Sequence, residues 1–264
     1  MSSPTTTWGA GDYPSMAAQL EPAALAAVTA AAITPGDRVL DLATGTGNAA
    51  LLAAGRGGHV VAVDFEPALL RLADQRSRDT DLDVRWLQGN LEALPVPDDS
   101  ADVVLSVFGV MYATDHALAA GELARVAAPG ARIVLASWVP GSVMPAMGQV
   151  LSGYLPTPPA SSGPPSRWGD PDALQTLLEN SGLRMTDAVS QQLVLAFPGT
   201  SSAADFLIRT AGHVVSEQRR LTDNGRWDDL RLDLTTFVQH RAEAAGEKVH
   251  LTLEYLLATA RQEP

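Results

Sequence analysis

No cysteine occurs among the 264 residues. That excludes disulfides and thiolate metal ligands, and no other metal-ligand cluster, HExxH or GxSxG motif takes their place, so no metal is expected. Nor does any apolar run reach the roughly 20 residues that a membrane span needs. The start, MSSPTTTWGAGDY, lacks the basic residues and apolar stretch of a secretory signal, so the cytoplasm is the simplest compartment and no membrane partner is expected. Basic charge is scarce: 18 Lys and Arg stand against 30 Asp and Glu, for a net charge of −12. Such a surface repels a phosphate backbone and disfavours nucleic acid as a partner. The one arginine-rich stretch, Arg71, Arg76 and Arg78, lies among Asp74, Asp79 and Asp81 and reads as a solvated helix face. Apolar residues are plentiful, at 46%, and the length suits one α/β domain carrying a cap.

The chain is organised around Arg38 to Asp64, which reads as strand, glycine turn, helix, strand. Val39, Leu40 and Leu42 form a short apolar run bounded by Pro35-Gly36 and by glycines, as a buried parallel strand should. Gly45 and Gly47 make a turn whose backbone a ligand can approach closely. Asn48 to Ala54 supplies a helix with its free N–H groups aimed at that ligand. A second apolar run, Val60 to Val63, ends on Asp64, where a carboxylate can accept hydrogen bonds from both hydroxyls of a ribose. GTGNAA also fits the dinucleotide fingerprint GxGxxA, which leaves an NAD(P)-dependent oxidoreductase as one reading. Asp41 argues against it. Four residues before Gly45 and on the strand itself, it would repel a pyrophosphate but suit an ammonium or sulfonium group.

DLATGTG, with Asp64 seventeen residues beyond Gly47, resembles motif I and the following acidic position of class I S-adenosylmethionine-dependent methyltransferases. Gly89-Asn90-Leu91-Glu92-Ala93-Leu94-Pro95, then Ala101 to Ser106, then Glu122 to Val126 with Pro129-Gly130, fall in that family's order and spacing. The resemblance covers roughly Trp8 to Trp138 and is strongest to the ubiquinone and menaquinone biosynthesis branch and related small-molecule enzymes. It implies a Rossmann-like seven-stranded sheet, six strands parallel and one antiparallel, with helices on both faces and a partly helical cap. The implied cofactor is S-adenosylmethionine, bound by Tyr13, Asp41, Ala43, Thr44, Gly45, Gly47, Asn48, Asp64, Phe65, Asn90, Leu91, Ser106 and Phe108. Asn90 stands where the family usually has Asp, and Ala131 where many relatives have a second glycine.

The resemblance divides the chain into an N-terminal helical lid (1–34), a cofactor core (35–139), a first cap segment with its helix (140–182), and the last two strands with a helical insertion at about 200–246 (183–264). Residues 1–7 read as a frayed tail, and a helical pattern runs from Ser15 to Ile33. Pro140 to Trp168 is rich in Pro, Gly and Ser and reads as a long irregular cap segment. A small-molecule methyl acceptor would meet Trp8, Met111, Tyr112, Trp138 and Trp168. Asp115-His116 opens a helix with Thr114 as N-cap. His116 and His213 are candidate general bases because the ordinary histidine pKa lies near working pH, and Tyr112 is a further catalytic candidate. Methyl transfer from a sulfonium depends mainly on holding the acceptor in line. The aromatic and methionine content of the cap favours a flat apolar acceptor, aromatic, quinone-like or polyketide-like, methylated on oxygen or carbon. A protein keeping this fold for sensing or cyclisation is the other alternative, and the chain could be a monomer or a homodimer.

Overall fold

The computed structural model describes residues 8–157 and 163–263; the expected frayed tail lies outside them. A 3₁₀ turn, Trp8–Ala10, leads into α1 (Tyr13–Ala30). This helix starts ahead of Ser15 because the Asp12 side chain accepts the Ser15 N–H as N-cap and Pro14 fills an early position where its missing N–H does no harm. The central unit follows as β1 (Arg38–Leu42), α2 (Asn48–Ala54), β2 (His59–Asp64), α3 (Pro67–Asp79), β3 (Val84–Gln88), β4 (Ala101–Val107), α4 (His116–Val126) and β5 (Ala127–Trp138). Asp115, not Thr114, caps α4: its carboxylate accepts the N–H groups of Ala117 and Leu118 at 2.9 and 3.1 Å. The fifth strand begins ahead of Pro129-Gly130 and passes through that pair, with the irregularity absorbed in its register with β4.

Beyond β5 come α5 (Val143–Leu151), α6 (Pro171–Glu179), β6 (Leu183–Phe197), α7 (Thr200–Thr210), α8 (Gly212–Asp223), α9 (Trp227–Arg241), β7 (Glu243–Ala245) and β8 (Lys248–Gln262). The Pro- and Gly-rich segment is therefore not irregular throughout. Val143, Ala146, Met147 and Leu151 recur at helical spacing and bury one face of α5.

The sheet order is β3-β2-β1-β4-β5-β8-β6. β1 to β5 pair in parallel, and β8 lies antiparallel between β5 and β6, so β6 shares the direction of the first five. Six parallel strands and one antiparallel strand follow, as expected. Among the described residues there is one addition, the three-residue β7, which pairs with the start of β8. Gly246, at φ +63°, makes the turn between them. Both faces of the sheet are covered. Leu40, Val104 and Ile133 join one apolar cluster, while their neighbours Val39, Val103 and Val134 join the other. That alternation with burial on both sides explains why the strands read as continuous apolar runs. No described helix is long and apolar enough to cross a membrane.

The order reverses at β1 and β4, where the chain leaves one half of the sheet for the other. Because these strands are parallel, the turns after them open at one edge, and the crevice of an open sheet lies at that switch point.

Candidate active site

Asp41 sits one residue from the end of β1 and is 1% exposed. The Thr44 hydroxyl donates to it at 2.5 Å, and the Ala50 N–H of α2 also donates. Burial outweighs these bonds and, with Asp64 nearby, pushes its pKa up to about 7. Asp64 ends β2 and accepts the Gly45 N–H at 2.7 Å and the Glu66 N–H at 2.8 Å. Burial raises it too above the ordinary carboxylate range. Two buried acids thus flank the turn, and the cheapest way to keep both ionised is a cation between them.

The turn is bare for two separate reasons. Gly47, at φ +85°, lies over Trp86, and a Cβ there would come 2.6 Å from the ring. Gly45, at φ +57°, lies under Tyr13, whose hydroxyl would be 3.0 Å from an added Cβ. Tyr13, Leu20, Asp41, Thr44, Asn48 and Phe108 line a cleft above the turn with about 20 Å³ free, enough for roughly one water. Burial, then the charge of Asp64, raises the Tyr13 pKa far above that of an ordinary phenol, so its hydroxyl stays protonated.

An aromatic wall adjoins the cleft. Phe108, in the left-handed region at φ +57°, stacks on Trp138 with ring centroids 3.7 Å apart and planes 8° apart. Tyr255 from β8 meets Phe108 edge-on at 5.4 Å. Trp8 then gathers three more rings: Tyr112 at 5.0 Å, His213 at 5.9 Å and Tyr13 at 6.4 Å, all edge-to-face. Burial lowers the His213 pKa, which keeps its imidazole neutral. Trp8 is held there because the next residues are fixed to α7: the Asp12 N–H donates to the Arg209 carbonyl at 2.8 Å, and the two side chains pair at 3.5 Å.

Trp8, Tyr13, Phe108, Tyr112, Trp138 and His213 thus come together from four separate parts of the chain. Ala43, Thr44, Gly45, Gly47 and Asn48 surround the turn. Phe65, Asn90 and Leu91 lie at the ends of β2 and β3 on its flank, where the Asn90 side-chain oxygen Oδ1 accepts the Glu92 N–H at 3.1 Å. Four other candidates do not reach the cleft. Ser106 is fully buried, donating to the Leu42 carbonyl and accepting the Val110 N–H, both at 2.9 Å, so it braces the turn after β1 against the one after β4. Met111 faces the core, because the turn Val110–Tyr112 sends Val110 and Met111 inward and leaves Tyr112 43% exposed. His116 and Trp168 are buried against each other, edge-to-face at 5.8 Å, where α4 meets the segment ahead of α6. Burial, then Arg167, lowers the His116 pKa. Tyr255 and Arg76 were not legible as site residues. Tyr255 is one of several alternating apolar positions in β8, and Arg76 turns from its supposed solvated face toward the glycine turn.

The donor set fits a positively charged amino-acid nucleoside: buried acids, a bare turn and a ring at its mouth. Comparison with known proteins agrees. The methyltransferase domain family matches residues 40–135. An uncharacterised protein of Mycobacterium tuberculosis is 33% identical over 257 residues, 97% of this chain and 92% of that one. The demethylmenaquinone methyltransferase of Thermus thermophilus is 44% identical over 105 residues, 39% of this chain and 48% of that enzyme. Among solved structures, the YcgJ protein of Bacillus subtilis superposes with a TM-score of 0.62 at 19% identity, covering 92% of this chain and 99% of its own. The glycine turn is therefore no dinucleotide site, and the chain belongs to the class I S-adenosylmethionine-dependent methyltransferases.

Proposed function

We propose that this enzyme methylates a small, largely apolar acceptor, aromatic, quinone-like or polyketide-like, on oxygen or carbon. One observation carries this reading: the aromatic wall of Phe108, Trp138, Tyr112 and Trp8 stands directly beside the acidic cradle, at the edge where an acceptor must meet the cofactor. Flat rings complement such a wall by edge and face contacts that a sugar or peptide would not exploit as well. The demethylmenaquinone methyltransferase is similar over 39% of this chain, and its name points to a quinone-type acceptor.

S-adenosylmethionine, when bound, supplies an electrophilic methyl group on a sulfonium. Asp64 would hold the ribose and Asp41 would face the charged amino-acid part, with the backbone of Gly45 beside them, while Phe65, Asn90 and Leu91 would flank the base. Tyr13 and Trp8, on the lid, close over the turn and exclude water. Tyr112, Trp138 and Phe108 orient the acceptor. His213, across from Tyr112 on Trp8, would take a proton from an acceptor hydroxyl. The lid (1–34) and the two cap segments (140–182 and 200–246) supply the acceptor side, and the core supplies the cofactor side.

The test is methyl transfer from isotopically labelled S-adenosylmethionine to a panel of phenols, quinols, β-diketones, sugars and peptides. Product confined to the aromatic and diketone members supports the reading; product on the sugars or peptides alone refutes it.

A further inference from the structure

Arg76 is half-buried on α3 and makes no salt bridge among the described residues, although Asp74 and Asp79 are close in sequence. Those acids are engaged elsewhere: Asp74 by Arg78 at 2.5 Å and Asp79 by Gln75 at 2.8 Å. Instead Arg76 Nη1 donates to the Thr46 carbonyl at 2.6 Å and to Asn48 Oδ1 at 2.8 Å, with a longer contact to Thr46 Oγ1 at 3.3 Å. Thr46 lies between the two turn glycines and is buried, so without Arg76 its carbonyl would lose a charged donor. Asn48 passes the link on. Its Nδ2 donates to the Ala17 carbonyl of α1 at 2.7 Å, which spends the amide at both ends. Asn48 lines the cofactor cleft on one side and, with Arg76, Leu51 and Glu21, a second groove of about 320 Å³ behind it.

We infer that Arg76 is a positioning residue for the cofactor, fixing the glycine turn from behind and, through Asn48, fastening the turn to the lid helix α1. This rests on the methyltransferase reading. It follows from geometry: one guanidinium nitrogen bridges a main-chain carbonyl and a side-chain amide oxygen, and the planar group fixes the direction of both bonds. A lysine ammonium, a point charge on a flexible stem, does not reproduce that.

The experiment titrates S-adenosylhomocysteine by calorimetry into the full chain and its variants Arg76→Lys, Arg76→Met, Asn48→Ala and the double Arg76→Met/Asn48→Ala, with Arg78→Met, from the exposed pair on the same helix, as control. Amide hydrogen exchange across Gly45–Asn48 in the free protein is the second readout. Both Arg76 variants are expected to bind about tenfold more weakly and to exchange faster at the turn, while Arg78→Met matches wild type. Asn48→Ala should weaken binding similarly, and the double variant by less than the product of the two, as linked residues do. Wild-type binding with undiminished affinity and unchanged exchange in Arg76→Lys and Arg76→Met overturns the inference alone. Affinity loss fully accounted for by unfolding of the free variants also overturns it. Absence of wild-type binding overturns the cofactor reading and this inference together.

Discussion

Cofactor binding should depend on pH through Asp41. The perturbation is a pH change from 6 to 8, with Asp41→Asn as control. Burial favours the protonated carboxyl and brings its pKa to about 7, whereas a cationic ligand needs the carboxylate. Apparent affinity is the intrinsic affinity times the deprotonated fraction, which grows from about 0.1 at pH 6 to about 0.9 at pH 8, so affinity should rise about ninefold across that range. Binding near pH 7 should release about half a proton, measured by calorimetry in two buffers of different ionisation enthalpy. Above about pH 8 the gain ends, because the ligand's own α-amino group begins to lose its charge. Asparagine still accepts from the Thr44 hydroxyl and the Ala50 N–H through Oδ1, so Asp41→Asn keeps the turn's shape and removes the charge together with its titration. Its affinity should be low and nearly flat with pH. A wild-type affinity that does not change between pH 6 and 8, or an Asp41→Asn profile with the wild-type slope, would refute the reasoning.

Three further outcomes are expected. In the free protein, Asp41 stabilises the fold only while protonated: its contribution is intact below the ordinary carboxylate pKa and is lost as pH rises through about 7, by up to about 4 kcal/mol, so Asp41→Asn should raise the melting temperature more at pH 8 than at pH 5. Gly47→Ala combines left-handed backbone strain with a Cβ pressed on Trp86 and should cost about 2–4 kcal/mol in urea unfolding; adding Trp86→Leu should lessen the packing share, and equal costs in both backgrounds would rule out the clash. Trp8→Ala removes the ring that Tyr13, Tyr112 and His213 share, a loss of about 0.5–1.5 kcal/mol for each pair; with an acceptor in hand, its KM should rise several-fold while cofactor affinity stays within about twofold of wild type.

Legibility in the sequence followed the range of the forces involved. The β1-turn-α2-β2 unit was readable because its constraints are local: an apolar run, two positions that cannot carry a Cβ, and an acid at each strand end. Sheet order and the antiparallel β8 came with the family resemblance, since pairing between β5 and β8 joins residues more than a hundred positions apart and leaves no local signature. β7 was missed because a three-residue strand closed by Gly246 offers too few residues to show a period of two. Asp115 displaced Thr114 as N-cap because its carboxylate is the one that reaches the Ala117 and Leu118 N–H groups, while Glu92 Oε1 takes the N–H groups of both Thr114 and Asp115, at 2.6 and 3.0 Å.

Side-chain direction was the harder matter, and Arg76 shows why. On a helical wheel Arg78 lies over Asp74, four residues before it, and pairs with it there, whereas Arg76 faces away from Asp74 and has only Asp79 on its own side. What brings Arg76 to the glycine turn is the height of α3 above it, set by the packing of Leu69, Leu70 and Ala73 and by Trp86 filling the space beneath Gly47. The same packing that makes Gly47 necessary brings Thr46 within reach of Arg76. A glycine visible in the sequence and an arginine that looked incidental are thus two results of one contact between β3, α3 and the turn. His116 is the converse case: chemically apt and close in sequence to Tyr112, it is turned by α4 onto Trp168, while His213, about a hundred residues further on, is the imidazole that the fold carries to Trp8.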